Sequence, residues 1–201
     1  MDYNEVLNRA NLKDSDVICA YQYGSRVYGN ITKHSDWDFI FVMKEKPNEQ
    51  FSDTLININF FDVEQHKTRI LNHEISALET LFLDDEYILK EDIKFDFTLN
   101  LKMLRRSLSR KSSNSWVKAK KKLTVEKDYD LDVGRKSMWH SFRIADFGIQ
   151  LATKGMIYNY SSKNDLYYEV IYNYSDWSEL FENYKKSYNS LMTEFRKVAP
   201  K

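Results

Sequence analysis

Apolar and aromatic residues at positions 3, 6, 7 and 10 have a helical spacing, which predicts a short amphipathic helix over residues 2–12. The pattern then changes to compact runs. Residues 17–23 (VICAYQY) end at Gly24, residues 37–43 (WDFIFVM) end in charges and Pro47, and both read as buried strands. Residues 54–63 alternate, placing Ile56, Ile58, Phe60 and Asp62 on one strand face and Asn57, Asn59 and Phe61 on the other.

Beyond Glu64 the periodicity is helical. Two short helices are predicted over 65–73 and 75–83, with a small extended piece at 86–90. Further helices follow at 95–109, with apolar residues at 97, 101, 104 and 108, and at 115–125, separated by the linker-like Arg110–Ser115 stretch RKSSNS. The clearest helix covers 133–153, with Gly155 as its stop, and 165–172 and 177–198 close the chain as a helix pair. This order predicts an α+β fold: a small mixed β-sheet module with flanking helices over 1–92, then a C-terminal helical module over 93–201.

Composition narrows the class. A chain of 201 residues that is 42% apolar and 30% charged, with two prolines and five glycines, has the make-up of a globular protein with a real core. No apolar run approaches the roughly 20 residues of a membrane span, and the first 16 residues lack an apolar signal core, so the sequence reads as cytoplasmic with no membrane partner. The single cysteine, Cys19, lies within an apolar run and reads as a buried thiol. His34, His66 and His73 show no metal-ligand spacing and read as structural or surface residues.

Net charge is zero but unevenly spread. Between Lys102 and Lys127 there are ten Lys or Arg against one acid, Glu126. Such a stretch can supply phosphate contacts to RNA, or simply form a solvated helix face.

The candidate chemistry lies in residues 24–38, GSRVYGNITKHSDWD. Gly24 ends a strand and lets the backbone turn closely onto a ligand, and Ser25 adds a hydroxyl and an N–H suited to phosphate oxygens. Asp36 and Asp38 flank Trp37 where the next strand begins, so a period of two sends both carboxylates to one face. Neighbouring carboxylates repel unless a cation sits between them, and hard oxygen ligands suit Mg²⁺, with Mn²⁺ able to substitute. Asp62, or Glu64 two residues later, offers a third acid, and three carboxylates can hold two ions for phosphoryl or nucleotidyl transfer. Arg26 flanks the loop as a candidate nucleotide contact. Lys136, His140 and Arg143 share one helix stripe and are candidates for the triphosphate or the acceptor, or else a polar helix face.

Gly24-Ser25 followed by Ser35-Asp36-Trp37-Asp38 resembles the motif of the DNA polymerase β superfamily of nucleotidyltransferases. The longer form, GSRVYG with SDWDF, is similar to a branch of predicted nucleotidyltransferases associated with RNA repair, and the Ala77-Leu78-Glu79 helix extends the likeness. The resemblance implies that Gly24 and Ser25 hold the triphosphate, that Asp36 and Asp38 hold two Mg²⁺ ions, and that Asp62 completes the metal and catalytic set. It implies an enzyme moving a nucleoside monophosphate from a nucleoside triphosphate to a hydroxyl, with pyrophosphate released, and a helical module completing the nucleotide and acceptor cleft. An RNA 3′ end is the acceptor expected; a protein side-chain hydroxyl, as in toxin-type relatives, and a non-catalytic nucleotide or RNA binder are the alternatives.

Overall fold

The computed structural model describes residues 1–33 and 35–200; His34 lies outside the described residues. The chain divides into two compact units, Met1–Thr98 and Leu99–Lys201.

In the first unit, α1 (Tyr3–Ala10) starts at Asp2, whose side chain accepts from the Glu5 N–H, and ends at Asn11 in the left-handed region. Strand β1 (Val17–Tyr23) leads into a single helical turn, α2 (Ser25–Tyr28), followed by β2 (Trp37–Met43), a short β3 (Gln50–Ser52) and β4 (Ile56–Asp62). Helices α3 (Val63–Leu71) and α4 (Ile75–Glu79) precede the last strand, β5 (Ile88–Glu91). The five strands form one mixed sheet in the order β3-β4-β2-β1-β5, in which β2 and β4 run parallel and the other pairs antiparallel.

Alternation decides which side chains each face carries. Ala20, Phe39, Phe41, Met43, Ile56, Ile58 and Phe60 join Val6 and Leu7 of α1 in one buried cluster. On the opposite face lie Tyr21, Ile40 and Val42, and His66 of α3 stacks on Tyr21, with ring centroids 6.2 Å apart. Asp38 pairs with Tyr23 on one side and with Asn57 on the other, so it shares this second face.

The second unit is helical: α5 (Leu101–Thr124), α6 (Leu131–Lys154), α7 (Asn164–Asn173) and α8 (Trp177–Val198). Met138, Phe142, Ala145, Val170, Leu180, Tyr184, Tyr188 and Met192 make its core. Gly148 lets α6 approach α8 closely, since a methyl group there would stand 2.6 Å from the Phe195 ring. Gly155, in the left-handed region at φ 74°, ends α6 where the sequence predicts a stop.

The fold is thus mixed α/β with a C-terminal helical region, as expected. Some predicted elements differ. The Arg110–Ser115 stretch is not a linker, because α5 runs through it unbroken. Ser112 is fully buried there, with its hydroxyl bonded to the Ser141 carbonyl (2.7 Å) and the Tyr188 hydroxyl (2.9 Å), so tertiary contacts outweigh the weak helix propensity of serine. Residues 95–100 are not helical, and the helix begins only after Asn100, whose side chain caps the Met103 N–H. Among the described residues no helix is long and apolar enough to cross a membrane.

Candidate active site

Gly24 stands where β1 ends, with φ 82° and ψ −156°, a conformation essentially reserved for glycine. A methyl group at this position would also collide with a carboxylate oxygen of Asp38. The Gly24 backbone and the Asp38 side chain are therefore in direct apposition, which no other residue at position 24 permits. Ser25 opens α2 directly after it, and the Gly24 carbonyl is taken by the Val27 and Tyr28 N–H groups, each at 3.0 Å. Gly29, at φ 78°, closes the turn.

Arg26 reaches from α2 to the start of β2. Its guanidinium lies over the Trp37 ring, 3.8 Å from the centroid, and donates to the Asp36 carbonyl at 3.3 Å and the Ser35 carbonyl at 3.0 Å. These contacts fix the backbone that carries the two aspartates. Asp36 is exposed and Asp38 half-buried.

The residue that meets this pair from β4 is Asn57. Its Nδ2 donates to Asp36 and, at 3.3 Å, to Asp38, and its Oδ1 accepts from the Ser52 hydroxyl at 2.5 Å. Asp62 does not join the group. It pairs with Met43, five positions along the parallel ladder from Asp38–Asn57, about 16 Å at the usual strand rise, and alternation assigns it to the face of Ile56, Ile58 and Phe60. It caps α3 instead: its carboxylate accepts the Gln65 N–H at 2.7 Å, and the Gln65 side chain accepts the Asp62 N–H. Glu64 is exposed on α3, paired with Lys67 at 2.9 Å. The sequence contained the signal for Asn57, since the same alternation that groups Asp62 with Ile56 puts Asn57 on the other face. What it lacked was the parallel pairing of β2 with β4.

Behind the aspartates lies a polar layer. Tyr23, beside Asp38, accepts from Asn59 Nδ2 at 2.8 Å; burial, and then the charges of Asp38 and Glu79, push its hydroxyl up so that it remains protonated. Glu79 is only 1% exposed and accepts from the Tyr28 hydroxyl at 2.6 Å, tying α4 to the turn that follows Gly24.

The sequence comparisons return nothing: no protein-family profile matches the chain, and no curated protein matches it. Comparison of structures does. The chain is similar to the spectinomycin adenyltransferase of Enterococcus faecialis, solved with ATP and spectinomycin, at a TM-score of 0.50 and 11% identity over 98% of this chain and 100% of that one. The chain has a nucleotidyltransferase fold.

Within that nucleotidyltransferase fold, Asp36 and Asp38 present two hard carboxylates side by side, donors that suit a divalent cation, while Asn57 turns its amide N–H₂ rather than its amide oxygen towards them. Among the described residues, no three His, Cys, Asp or Glu side chains gather closely enough to hold a metal. Of the three acids expected from the sequence to hold metal, Asp36 and Asp38 stand together and Asp62 lies apart from them.

Lys136, His140 and Arg143 are all on α6. Lys136 is exposed, while Arg143 is buried over Trp139 (5.4 Å) and Phe147 (4.9 Å). Its Nε donates to His140 Nδ1 at 3.3 Å, so His140 accepts on that nitrogen. Burial, and then the charges of Arg143, Lys118, Lys136 and Lys111, hold the His140 imidazole well below its ordinary range, so it is neutral at physiological pH.

Proposed function

We propose that this chain transfers a nucleoside monophosphate from a nucleoside triphosphate to an acceptor hydroxyl. The acceptor oxygen forms a bond to the α-phosphorus, the bond from that phosphorus to the oxygen bridging it to the β-phosphorus breaks, pyrophosphate leaves with that electron pair, and the hydroxyl passes its proton to water. The observation that carries the reading is the apposition of the Gly24 backbone and the Asp38 carboxylate, with the Asp36 carboxylate close enough that one amide group bonds both. The fold shared with an adenyltransferase over nearly the whole chain supports it.

In this reading, Gly24 and Ser25 receive the triphosphate, and Asp36 and Asp38 hold a divalent cation, Mg²⁺ or Mn²⁺. The cation would offset phosphate charge and polarise the reacting oxygens. Arg26 positions Asp36 through its carbonyl rather than by reaching the nucleotide. On α6, Lys136 is exposed, and Arg143 donates to the neutral His140.

For the acceptor we propose an RNA 3′ end. Lys102, Arg106, Arg110, Lys111, Lys118 and Lys120 are all exposed along α5, a spacing of positive charge suited to a phosphate backbone. The neighbour's name and bound ligands favour a second reading, a small hydroxylated molecule as acceptor.

The test is incubation with each α-labelled nucleoside triphosphate and Mg²⁺, in the presence of a mixed RNA pool or a panel of small hydroxyl compounds. Label should appear on RNA and vanish with Asp36→Ala/Asp38→Ala. Label on a small compound, or on protein, would move the acceptor. No metal-dependent turnover under any condition would leave a nucleotide binder.

A further inference from the structure

The position on β4 beside the two aspartates is filled by an amide. Asn57 Nδ2 donates to both carboxylates, and Asn57 Oδ1 accepts from Ser52 of the neighbouring β3. Two carboxylates held side by side repel, and an N–H₂ group shared between them lowers that cost without a cation. We propose that Asn57 limits this site to one divalent cation and serves as the cation's substitute when none is bound. The inference rests on the nucleotidyl-transfer reading above.

Charge carries the first half. Asp36 and Asp38 together supply two negative charges, which one divalent ion balances. A second ion beside it, on the acceptor side, would need a further anionic ligand, and the neutral amide of Asn57 does not provide one. Asp62 and Glu64 cannot substitute, because the first is spent capping α3 at the far end of β4 and the second is exposed and paired with Lys67.

Hydrogen-bond capacity carries the second half. The Ser52 hydroxyl can accept as readily as it donates, so Asn57 can turn its amide over with no loss of partner. In that orientation Oδ1 faces the bound cation and Nδ2 donates to Ser52. Side-chain hydrogen bonds thus serve both the empty and the loaded site, and an aspartate at position 57 could serve only the loaded one.

The experiment counts Mn²⁺ by electron paramagnetic resonance on the full chain, with and without a non-hydrolysable triphosphate analogue, for wild type and Asn57→Asp. We expect one ion per wild-type chain with the analogue and two per N57D chain. In chelator, N57D should melt several degrees below wild type and recover on adding Mn²⁺, while wild type should respond less. Two ions on the wild type, or one on both proteins, overturns the inference and leaves the transfer reading standing. No Mn²⁺ on the wild type under any condition removes the transfer reading, and this inference with it. If N57D does not fold, the wild-type count decides alone: one supports the proposal, two overturns it.

Discussion

At the residue scale, the site depends on positions whose roles can be separated by substitution. Gly24→Ala places a methyl group against Asp38 and asks alanine to adopt φ 82°, so we expect about 1–3 kcal/mol lost in urea denaturation and transfer activity reduced at least a hundredfold. Asp62→Ala should behave differently. Losing the cap of α3 costs about 1 kcal/mol, while label transfer should stay within a factor of a few of wild type, and a loss as severe as that of the Asp36/Asp38 double variant would return Asp62 to the metal set.

His66 adds a pH dependence. Burial, and then the charge of Arg69, lower its imidazole from 6.5 to about 4. Its Nε2 donates to Thr80 Oγ1 at 3.2 Å, since that hydroxyl already donates to the Ala77 carbonyl. The unfolded chain therefore binds this proton from about pH 6.5 downwards, while the folded chain refuses it until about pH 4. This contribution is complete above 6.5 and fades across that window, by up to roughly 3 kcal/mol. Denaturation midpoints at pH 7 and pH 5 should differ less in His66→Gln than in wild type.

At the scale of elements, long apolar runs and clear periodicity were the readable part. Strands β1, β2 and β4 and helices α1, α6 and α8 follow the pattern because each buries a face or a stripe that dominates its own sequence. Strand β3 was not readable: three residues with an alternating exposed face carry too little pattern, and only β4 makes them a strand. The serines of Arg110–Ser115 mislead for the opposite reason, since their loop-like chemistry is overridden by packing. Ser112→Ala tests that account. It should cost about 1–3 kcal/mol in thermal or urea unfolding by removing two buried hydrogen bonds and leaving the Tyr188 hydroxyl without its Ser112 partner, whereas Ser113→Ala, at an exposed position, should cost little.

The same limit governs the site. Gly24, Asp36 and Asp38 could be read locally, because strand end and strand start are short-range signals. The third member required knowing which strand lies beside β2, and that is a property of topology. Asp62 lies at the far end of β4 from Asp36 and Asp38, and Asn57 is the β4 residue that touches them.

For the whole molecule, neutrality conceals a local excess. Thirty basic and thirty acidic residues cancel in sum, but α5 gathers much of the positive charge, and only Lys121 and Lys122 of its lysines form ion pairs among those described, both with Asp128. Single-stranded RNA held by this face should therefore bind with an affinity that falls steeply with salt, by a slope of about −0.7 for each phosphate contacted. Replacing Lys118 and Lys120 with Glu should flatten that slope in a fluorescence-anisotropy titration and leave the unfolding midpoint nearly unchanged. An unaltered slope would place RNA elsewhere or nowhere.

Strand β4 passes into α3 with no intervening loop, because Asp62 is at once the last strand residue and the first cap. Strand and helix consequently behave as one stiff part, and the chain has no slack there to absorb a change in length. Deleting one residue between Asn57 and Asp62 would rotate everything beyond it to the wrong side of the sheet, or drag Asn57 away from its aspartates, whereas the 44–49 connection can take extra residues without either penalty.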